Sequence, residues 1–438
     1  MTERTRAERR VGLARWWARA KQIVTTDPTG SSEDDYLADE AAAEELATQA
    51  GRLKGGLAKV AQLAAYDPGT SLGRRPGASA AARRVLGGLW DRAPSVSAGE
   101  ISKVVETDLG KPPQQLFARW DTSPLAAASL GQVHAAQLAD GTDVVVKVQY
   151  PGVAEALRAD LDDADFLRKL AGAEIGRTLD DGALDSLATA VRGELDYVAE
   201  AASQRRFAAA WKDDPVLRIP RVIDELSSSR VLTMTRARGK SLVATASASA
   251  DLRRQAAVAI FKFAWGSPLA HGLINADPNP GNFVVDESPD DGHVTVWCLD
   301  FGCSLELSAA ARDADRELFF GLVDPDDGAE RFRMGLAASG LLRRTDTLAT
   351  TAHRDWERAV AAPFAGHGDF HWSAAYASDF AEATGRVLSS GGLGLPASAL
   401  LVWRQRLGVA AVIAMLDATA PFRRVLVDLV GTGKRALR

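Results

Sequence analysis

Cysteine is nearly missing from this sequence: Cys298 and Cys303 are the only two in 438 residues, and that scarcity excludes two kinds of chemistry. Their spacing fits neither a zinc knuckle nor a C-x-x-C redox pair, so both read as small core residues beside a strand end. Histidine is sparse as well, with six in the chain. His367 and His371 are separated by Gly368 in a loop-like stretch, which does not set two rings on one helical face, so no His/Cys metal centre is indicated. Long apolar runs are lacking too. The best candidate, Leu407 to Leu416, falls short of the ~18 residues that a membrane span needs and reads as a buried helix. Nor is there an excess of positive charge. A formal net charge of -5 provides no general attraction to nucleic acid, so an anionic partner has to be met by a local basic site.

What is present is ordinary globular material, 46% apolar and 25% charged, in a chain long enough for about two or three core-forming units. The N-terminus lacks the apolar core of a secretory signal, yet Arg9 to Lys21 is basic and carries Trp16 and Trp17 side by side, a composition suited to a helix lying on an anionic membrane surface. Residues 1–45 are read as this basic and then acidic tail. Helical patterning covers Leu46 to Tyr66, breaks at a Gly/Pro/Ser-rich stretch from Asp67 to Ala80, and resumes from Ala81 to Leu109. Residues 46–120 are accordingly read as a helical extension.

Near Leu130 the apolar period changes to two. Gly131 to Leu138 and Thr142 to Gln149 are strand-like runs joined through Asp140-Gly141, a strong hairpin signal because both turn positions tolerate positive φ. Helical pattern follows at Ala154 to Leu170 and at Leu184 to Trp211, and a short strand pair is expected at Ile219 to Asp224 and Arg230 to Met234. Beyond a linker near Gly239 the chain reads as mainly helical, interrupted by strands at Asn282 to Val285 and Val294 to Leu299. Strands and a helix followed by a helical half form a bilobal kinase order, with an N-lobe over 121–238 and a C-lobe over 239–438.

The candidate metal-holding residues sit in that second half. Asp277 precedes Asn282 by five residues within Asn275-Ala276-Asp277-Pro278-Asn279-Pro280-Gly281-Asn282, and eighteen residues after Asn282 comes Asp300-Phe301-Gly302. Phosphoryl transfer needs two metal-holding acidic or amide groups, and an Asp…Asn loop followed by a D-F-G Asp supplies them. Lys147 stands in the apolar strand Val144-Val145-Val146-Lys147-Val148, where a lysine either snorkels to solvent or holds nucleotide phosphates with help from a helix carboxylate. Glu194 and Glu200 are candidates for that carboxylate. Six apart on one expected helix, they point to different sides and cannot both serve; Asp196 adds a Glu-x-Asp pair with Glu194. The loop ahead of the hairpin, Ala126-Ala127-Ala128-Ser129, has alanines where a phosphate-covering loop wants glycines, and by itself reads as a helix start or spacer.

Taken in order, these motifs resemble the UbiB/AarF family of atypical kinases, which is tied to quinone biosynthesis. Lys59-Val60-Ala61-Gln62 is similar to the family's K-x-G-Q signature, Ala126 to Ser129 to its Ala-rich loop, Glu194 to Glu200 to its E-x-D helix, and Asn275 to Asn282 with Asp300 to Gly302 to its H-A-D-P-H-P-G-N and D-F-G. The likeness runs from Leu53 to the Arg404-Gln405-Arg406-Leu407-Gly408 helix. It implies an α+β, bilobal protein-kinase-like fold with an N-terminal helical extension and a mainly helical C-lobe. It also implies that Lys147 contacts the phosphates of ATP or ADP and pairs with Glu200, that Ala126 to Ser129 cover the nucleotide, that Asn282 and Asp300 hold Mg²⁺, and that Asp277 occupies the catalytic-loop position. Lys59 and Gln62 would meet Glu194 and Asp196 and bar protein substrates, which implies an ATPase or a kinase of small, lipid-like molecules.

Three residues depart from the family pattern. Ala61 replaces the K-x-G-Q glycine, and Asn275 and Asn279 replace the two catalytic-loop histidines; the change at 275 removes a group able to handle protons. The expected partners are nucleotide, an isoprenoid lipid or quinone precursor, and a membrane surface met through the Trp/Arg segment, with no nucleic acid; a homodimer is compatible. The expected location is the cytoplasm or the inner membrane face. The alternatives are a small-molecule phosphotransferase of the aminoglycoside or choline kinase type, and a catalytically silent nucleotide-gated scaffold.

Overall fold

The computed structural model describes residues 96–127, 130–161, 189, 192–324, 327–342, 351–394 and 396–431. They belong to two compact units. One contains the described residues up to 161 together with 192–198 and Val222–Arg236; the other contains residue 189, Ala199–Arg221 and the described residues from Ala237 onward. The expected Trp/Arg segment, the extension helix with Lys59 and Gln62, and the pair Ala128 and Ser129 lie outside the described residues.

The first unit is built on a four-stranded antiparallel sheet in the order β1-β2-β3-β4, with β1 at Arg119–Ala127, β2 at Gly131–Gln137, β3 at Asp143–Gln149 and β4 at Val231–Thr235. The expected hairpin is β2–β3, in register from Gly131 opposite Gln149 to Gln137 opposite Asp143. Of its turn residues only Gly141 takes positive φ, at 86°. Leu138 N–H reaches Thr142 O at 2.9 Å and Gly141 N–H reaches Leu138 O at 3.0 Å, so this is a three-residue loop closed by a glycine bulge rather than a two-residue turn. Val144, Val146 and Val148 are completely buried, the period-two face that a half-covered strand presents to its core. Helix α1, Ala98–Leu109, packs on β3 and β4. Its ends are specified locally: Ser97 and Glu100 form a reciprocal capping box, and Gly110 closes the last turn at φ 77°. Asp108 near its C-terminus is bound by Arg230 and accepts from Ser228 Oγ at 2.7 Å, which ties α1 to the turn before β4.

Two expectations change here. The alanine segment that reads as a helix start is the end of strand β1, with Ala126 opposite Val133 and Ala127 opposite Gln132. The single helix expected over Leu184 to Trp211 is interrupted: Glu194 and Leu195 lie in a turn, and helix α3 runs from Tyr197 to Ala210. Asp196 Oδ1 accepts from Val198 N–H at 3.0 Å and so caps the new helix instead of sitting inside a longer one. Glu194 and Glu200 are therefore not on one helix, and the geometric reason for choosing between them falls away. Helix α2, Val153–Leu161, precedes this segment.

The second unit is mainly helical but carries more strands than its sequence suggests. Its four-stranded sheet places Leu217–Arg218 beside β7 (Val294–Cys298), then β6 (Phe283–Glu287), then Lys240–Ser241. The expected strand at 219–224 is thus displaced: Leu217 and Arg218 pair in parallel with β7, and only an isolated bridge, Val222 to Met234, joins the following segment to β4. A second ladder, β5 (Leu273–Asn275) with β8 (Ser304–Glu306), was not legible because each strand has three residues. The core collects Phe261, Trp265, Phe319, Trp356 and Phe422 from helices separated widely in sequence, with Trp372 from the short strand Phe370–Trp372. Helix α4 (Ala250–Phe261) and α5 (Ala309–Gly321) contribute to it, as does α6 (Ala397–Ala414), the buried helix expected near 407–416. Cys298 and Cys303 are buried at 1% and 2% exposure, the core positions their context indicated; burial raises the Cys298 thiol far above its ordinary range.

Candidate functional site

The loop that begins at Asn275 is delivered by an unusual helix. Directly after α4 the backbone widens into a π-helix over Lys262–His271 that contains Pro268. A proline in an α-helix lacks its N–H and crowds the preceding turn, and a wider i→i+5 turn relieves that conflict. Gly272, at φ 68°, ends the helix and turns the chain into β5.

At Asn275 the loop is stapled to the D-F-G segment. Asn275 Nδ2 donates to Asp300 O at 2.6 Å, and its Oδ1 accepts from Asp277 N–H at 3.2 Å. Ala276 N–H donates to Cys303 O at 2.8 Å, and Leu299 N–H donates to Asn282 O at 3.0 Å. The side chain of Asn275 is buried at 6% exposure, and both ends of its amide are engaged with backbone, so it organises the loop and is not a proton carrier. Asn279 acts locally: its Oδ1 accepts from Gly281 N–H at 2.8 Å, an Asx turn that shapes Pro280–Asn282.

That backbone brings Asp277 and Asn282 together. Asn282 Nδ2 lies 3.2 Å from both Asp277 Oδ2 and Asp277 O. Because the amide nitrogen faces Asp277, the side-chain oxygen Oδ1 of Asn282 is left as the group to offer a cation. Asp300 Oδ1 accepts from Gly302 N–H at 3.0 Å, which orients its carboxylate. Phe301 is buried at 1% exposure between Phe207 and Phe263, with ring centroids 5.0 and 6.4 Å away. Glu200, on α3 and 2% exposed, accepts from Phe301 N–H at the long distance of 3.5 Å. Glu200 and the D-F-G backbone thus meet inside the second unit.

Helix α6 supports the loop from behind. Leu401 and Val402 pack with Ile274, Ala276 and Cys303, and a Cβ built on Gly408 would lie 2.1 Å from Pro278 Cγ, so only glycine lets helix and loop approach this closely. Arg406 fixes the helix on α5 through Asp315, at 2.8 and 2.5 Å, with its guanidinium 4.3 Å from the Phe319 ring centroid.

In the first unit Lys147 is half-buried on β3, its Nζ 5.0 Å from the centroid of the Tyr197 ring. Two residues on, Gln149 Nε2 donates to Leu195 O at 2.8 Å and to Ser229 O at 3.3 Å. Glu194 is buried at 7% exposure and Asp196 is exposed. Ala126 is exposed at the end of β1, next to Ala127. The structure therefore gathers Asp277, Asn282, Asp300 and Glu200 in one unit and Lys147 with Glu194 and Asp196 in the other. Tyr197 and Gln149 escaped the sequence reading, and Asn275 entered it only as a lost histidine. A glutamine within a strand of apolar neighbours was the available signal.

Among the described residues no group of three or more His, Cys, Asp and Glu side chains is gathered as a metal centre. An amide oxygen beside a carboxylate still fits Mg²⁺, a hard cation that takes oxygen ligands and usually draws several of them from water and phosphate.

The ABC1 atypical kinase-like domain matches residues 88–330, more than half of the chain, and the protein belongs to this family of atypical kinases. Its fold is accordingly protein-kinase-like and α+β. It is 35% identical over 229 residues to the rat mitochondrial atypical kinase COQ8B, covering 50% of this chain and 43% of that protein. It is 32% identical over 205 residues to the mitochondrial atypical kinase COQ8 of Saccharomyces cerevisiae, covering 47% and 40%. The chain spans less than half the length of these curated relatives. Among solved structures, Rv3197 of Mycobacterium tuberculosis in complex with erythromycin matches 91% of this chain and 98% of its own, at 26% identity and a TM-score of 0.59.

Proposed function

We propose that this protein binds a magnesium nucleotide and acts as an ATP-dependent atypical kinase or ATPase on a small, lipid-like acceptor. The observation that carries the reading is the Asp277–Asn282 contact at 3.2 Å on a loop tied through Asn275 to the backbone of Asp300. In this reading Asn282 and Asp300 hold Mg²⁺, which when bound neutralises charge on the phosphates. Asp277 receives or orients the acceptor hydroxyl from a carboxylate steadied by the Asn282 amide. Lys147 contacts the nucleotide phosphates through its side-chain nitrogen, Glu200 is its candidate carboxylate, and Ala126 to Ser129 form the cover. Lys59, Gln62, Glu194 and Asp196 are the proposed gate against protein substrates. An isoprenoid lipid or quinone precursor is the proposed acceptor class, supported by the names of the mitochondrial kinase relatives and by the sequence resemblance. Peripheral contact with a membrane through the Trp/Arg segment belongs to the same proposal, and no described helix is long and apolar enough to cross a membrane.

The test is thermal stabilisation by Mg-ATP and Mg-ADP, followed by phosphate release with and without anionic liposomes and quinone-precursor phenols. Stabilisation lost in Asp300→Asn, with release stimulated by the lipid or phenol, is expected. Unchanged melting with either nucleotide would contradict the reading, and nucleotide binding without any phosphate release would favour the silent scaffold.

A further inference from the structure

The unit that holds Lys147 assigns work to a residue inside the Glu194 to Glu200 stretch that the motif itself does not name. Lys147 and Gln149 share one face of β3, because strand side chains alternate, while Val144, Val146 and Val148 fill the other. Gln149 is 1% exposed and donates from one amide nitrogen to two carbonyls, Leu195 O at 2.8 Å and Ser229 O at 3.3 Å. Tyr197 N–H donates in turn to Ser229 O at 3.1 Å, and Gln149 N–H to Arg230 O at 3.0 Å. These bonds strap the turn before α3 and the turn before β4 onto β3. Held this way, the Tyr197 ring is 1% exposed and its face lies 5.0 Å from Lys147 Nζ, within the range where a ring attracts a cation.

We propose that Tyr197 is a positioning residue for Lys147. Its ring holds the ammonium by cation–π attraction, and the Gln149 strap fixes the ring. A lysine has a long, flexible stem, and its ammonium loses rotamer freedom whenever it is confined to one place. Confinement over a buried ring before ligand arrives lowers that cost when an anion is met. The ring contributes its face, so Phe should substitute for Tyr at this position and an aliphatic residue should not. The inference rests on the nucleotide reading only in naming the anion as a nucleoside diphosphate; the Lys147–Tyr197 contact belongs to the protein without ligand.

Two readouts on the full chain test it. In the nucleotide-free protein, lysines dimethylated with ¹³C should show one ring-current-shifted signal, assigned by its absence in Lys147→Arg, kept in Tyr197→Phe and lost in Tyr197→Leu. In calorimetric titration with Mg-ADP, Tyr197→Leu should bind about three- to tenfold more weakly and Tyr197→Phe within about twofold of wild type. Gln149→Leu should fall between them, and Tyr197→Leu should add nothing in a Lys147→Ala background. Melting temperatures confirm that each variant is folded, and Tyr197→Phe keeps the test meaningful should Tyr197→Leu unfold. A shifted lysine signal that survives in Tyr197→Leu overturns the proposal, as does a loss of affinity equally large in the Lys147→Ala background. Wild type that binds no Mg-ADP overturns the nucleotide reading instead, whereas binding lost in Lys147→Ala but unchanged in Tyr197→Leu overturns the positioning role alone.

Discussion

The two units hold their chemistry-bearing residues by different means. In the second, Asp277, Asn282 and Asp300 are placed by short bonds between backbone and amides, with Asn275 bridging Asp300 O and Asp277 N–H and Gly408 admitting α6 against Pro278. In the first, Lys147 is a long side chain set over the face of Tyr197. A bonded loop is either formed or broken, whereas a lysine over a ring is biased by degrees. Damage to the second unit should therefore be abrupt and damage to the first graded.

The sharpest break should come from α6. Removing Asp315 leaves the 1%-exposed Arg406 guanidinium buried and unpaired, so Asp315→Ala is expected to cost about 3–5 kcal/mol, read as a lower denaturant midpoint. Next is Asn275→Asp, which replaces the amide donor facing Asp300 O by a carboxylate oxygen. A loss of about 1–3 kcal/mol or more is expected, with nucleotide-dependent stabilisation falling alongside; an unchanged variant would mean that the staple does not organise the loop. Gly408→Ala forces a methyl into Pro278 and should displace the loop, costing about 1–3 kcal/mol as overpacking does. Its signature is phosphate release that falls more than melting temperature does.

The smallest effect concerns pH and lies in the first unit. Burial raises the Asp108 carboxyl, but hydrogen bonds from Arg230 and Ser228 outweigh it and leave the group below its ordinary range. A carboxylate whose folded pKa is depressed stabilises the fold above its unfolded pKa and loses that contribution as pH falls through the folded one. Asp108→Asn should therefore lower stability near neutrality and narrow its gap to wild type on acidification, seen in melting temperatures across the acid limb. A constant gap would show that the Arg230 interaction is not coupled to ionisation.

Local chemistry was what the sequence made visible. Asp140-Gly141 announced the β2–β3 hairpin, period-two valines marked its buried face, and the D…N loop and D-F-G segment, read as one motif set, are joined in the structure through Asn275. Long-range effects stayed hidden. The break at Glu194 to Asp196 depends on Gln149, 46 residues away from Leu195, and helical periodicity through that turn carries no trace of it. The parallel pairing of Leu217 and Arg218 with β7 spans a long stretch of chain, and the short β5–β8 ladder has too few residues for any periodicity. Asn275 read as the loss of a histidine because its two backbone partners, Asp300 and Asp277, meet only after folding.

The central proposal is that the protein binds a magnesium nucleotide and that Asp300 and Lys147 each contribute to that binding. Calorimetric titration of wild type, Lys147→Ala and Asp300→Asn with ADP, in magnesium and in EDTA, tests it most directly. Binding by wild type is expected to require magnesium, to be lost in Asp300→Asn and to be weakened in Lys147→Ala. Equal binding by all three proteins, or binding indifferent to magnesium, would contradict it.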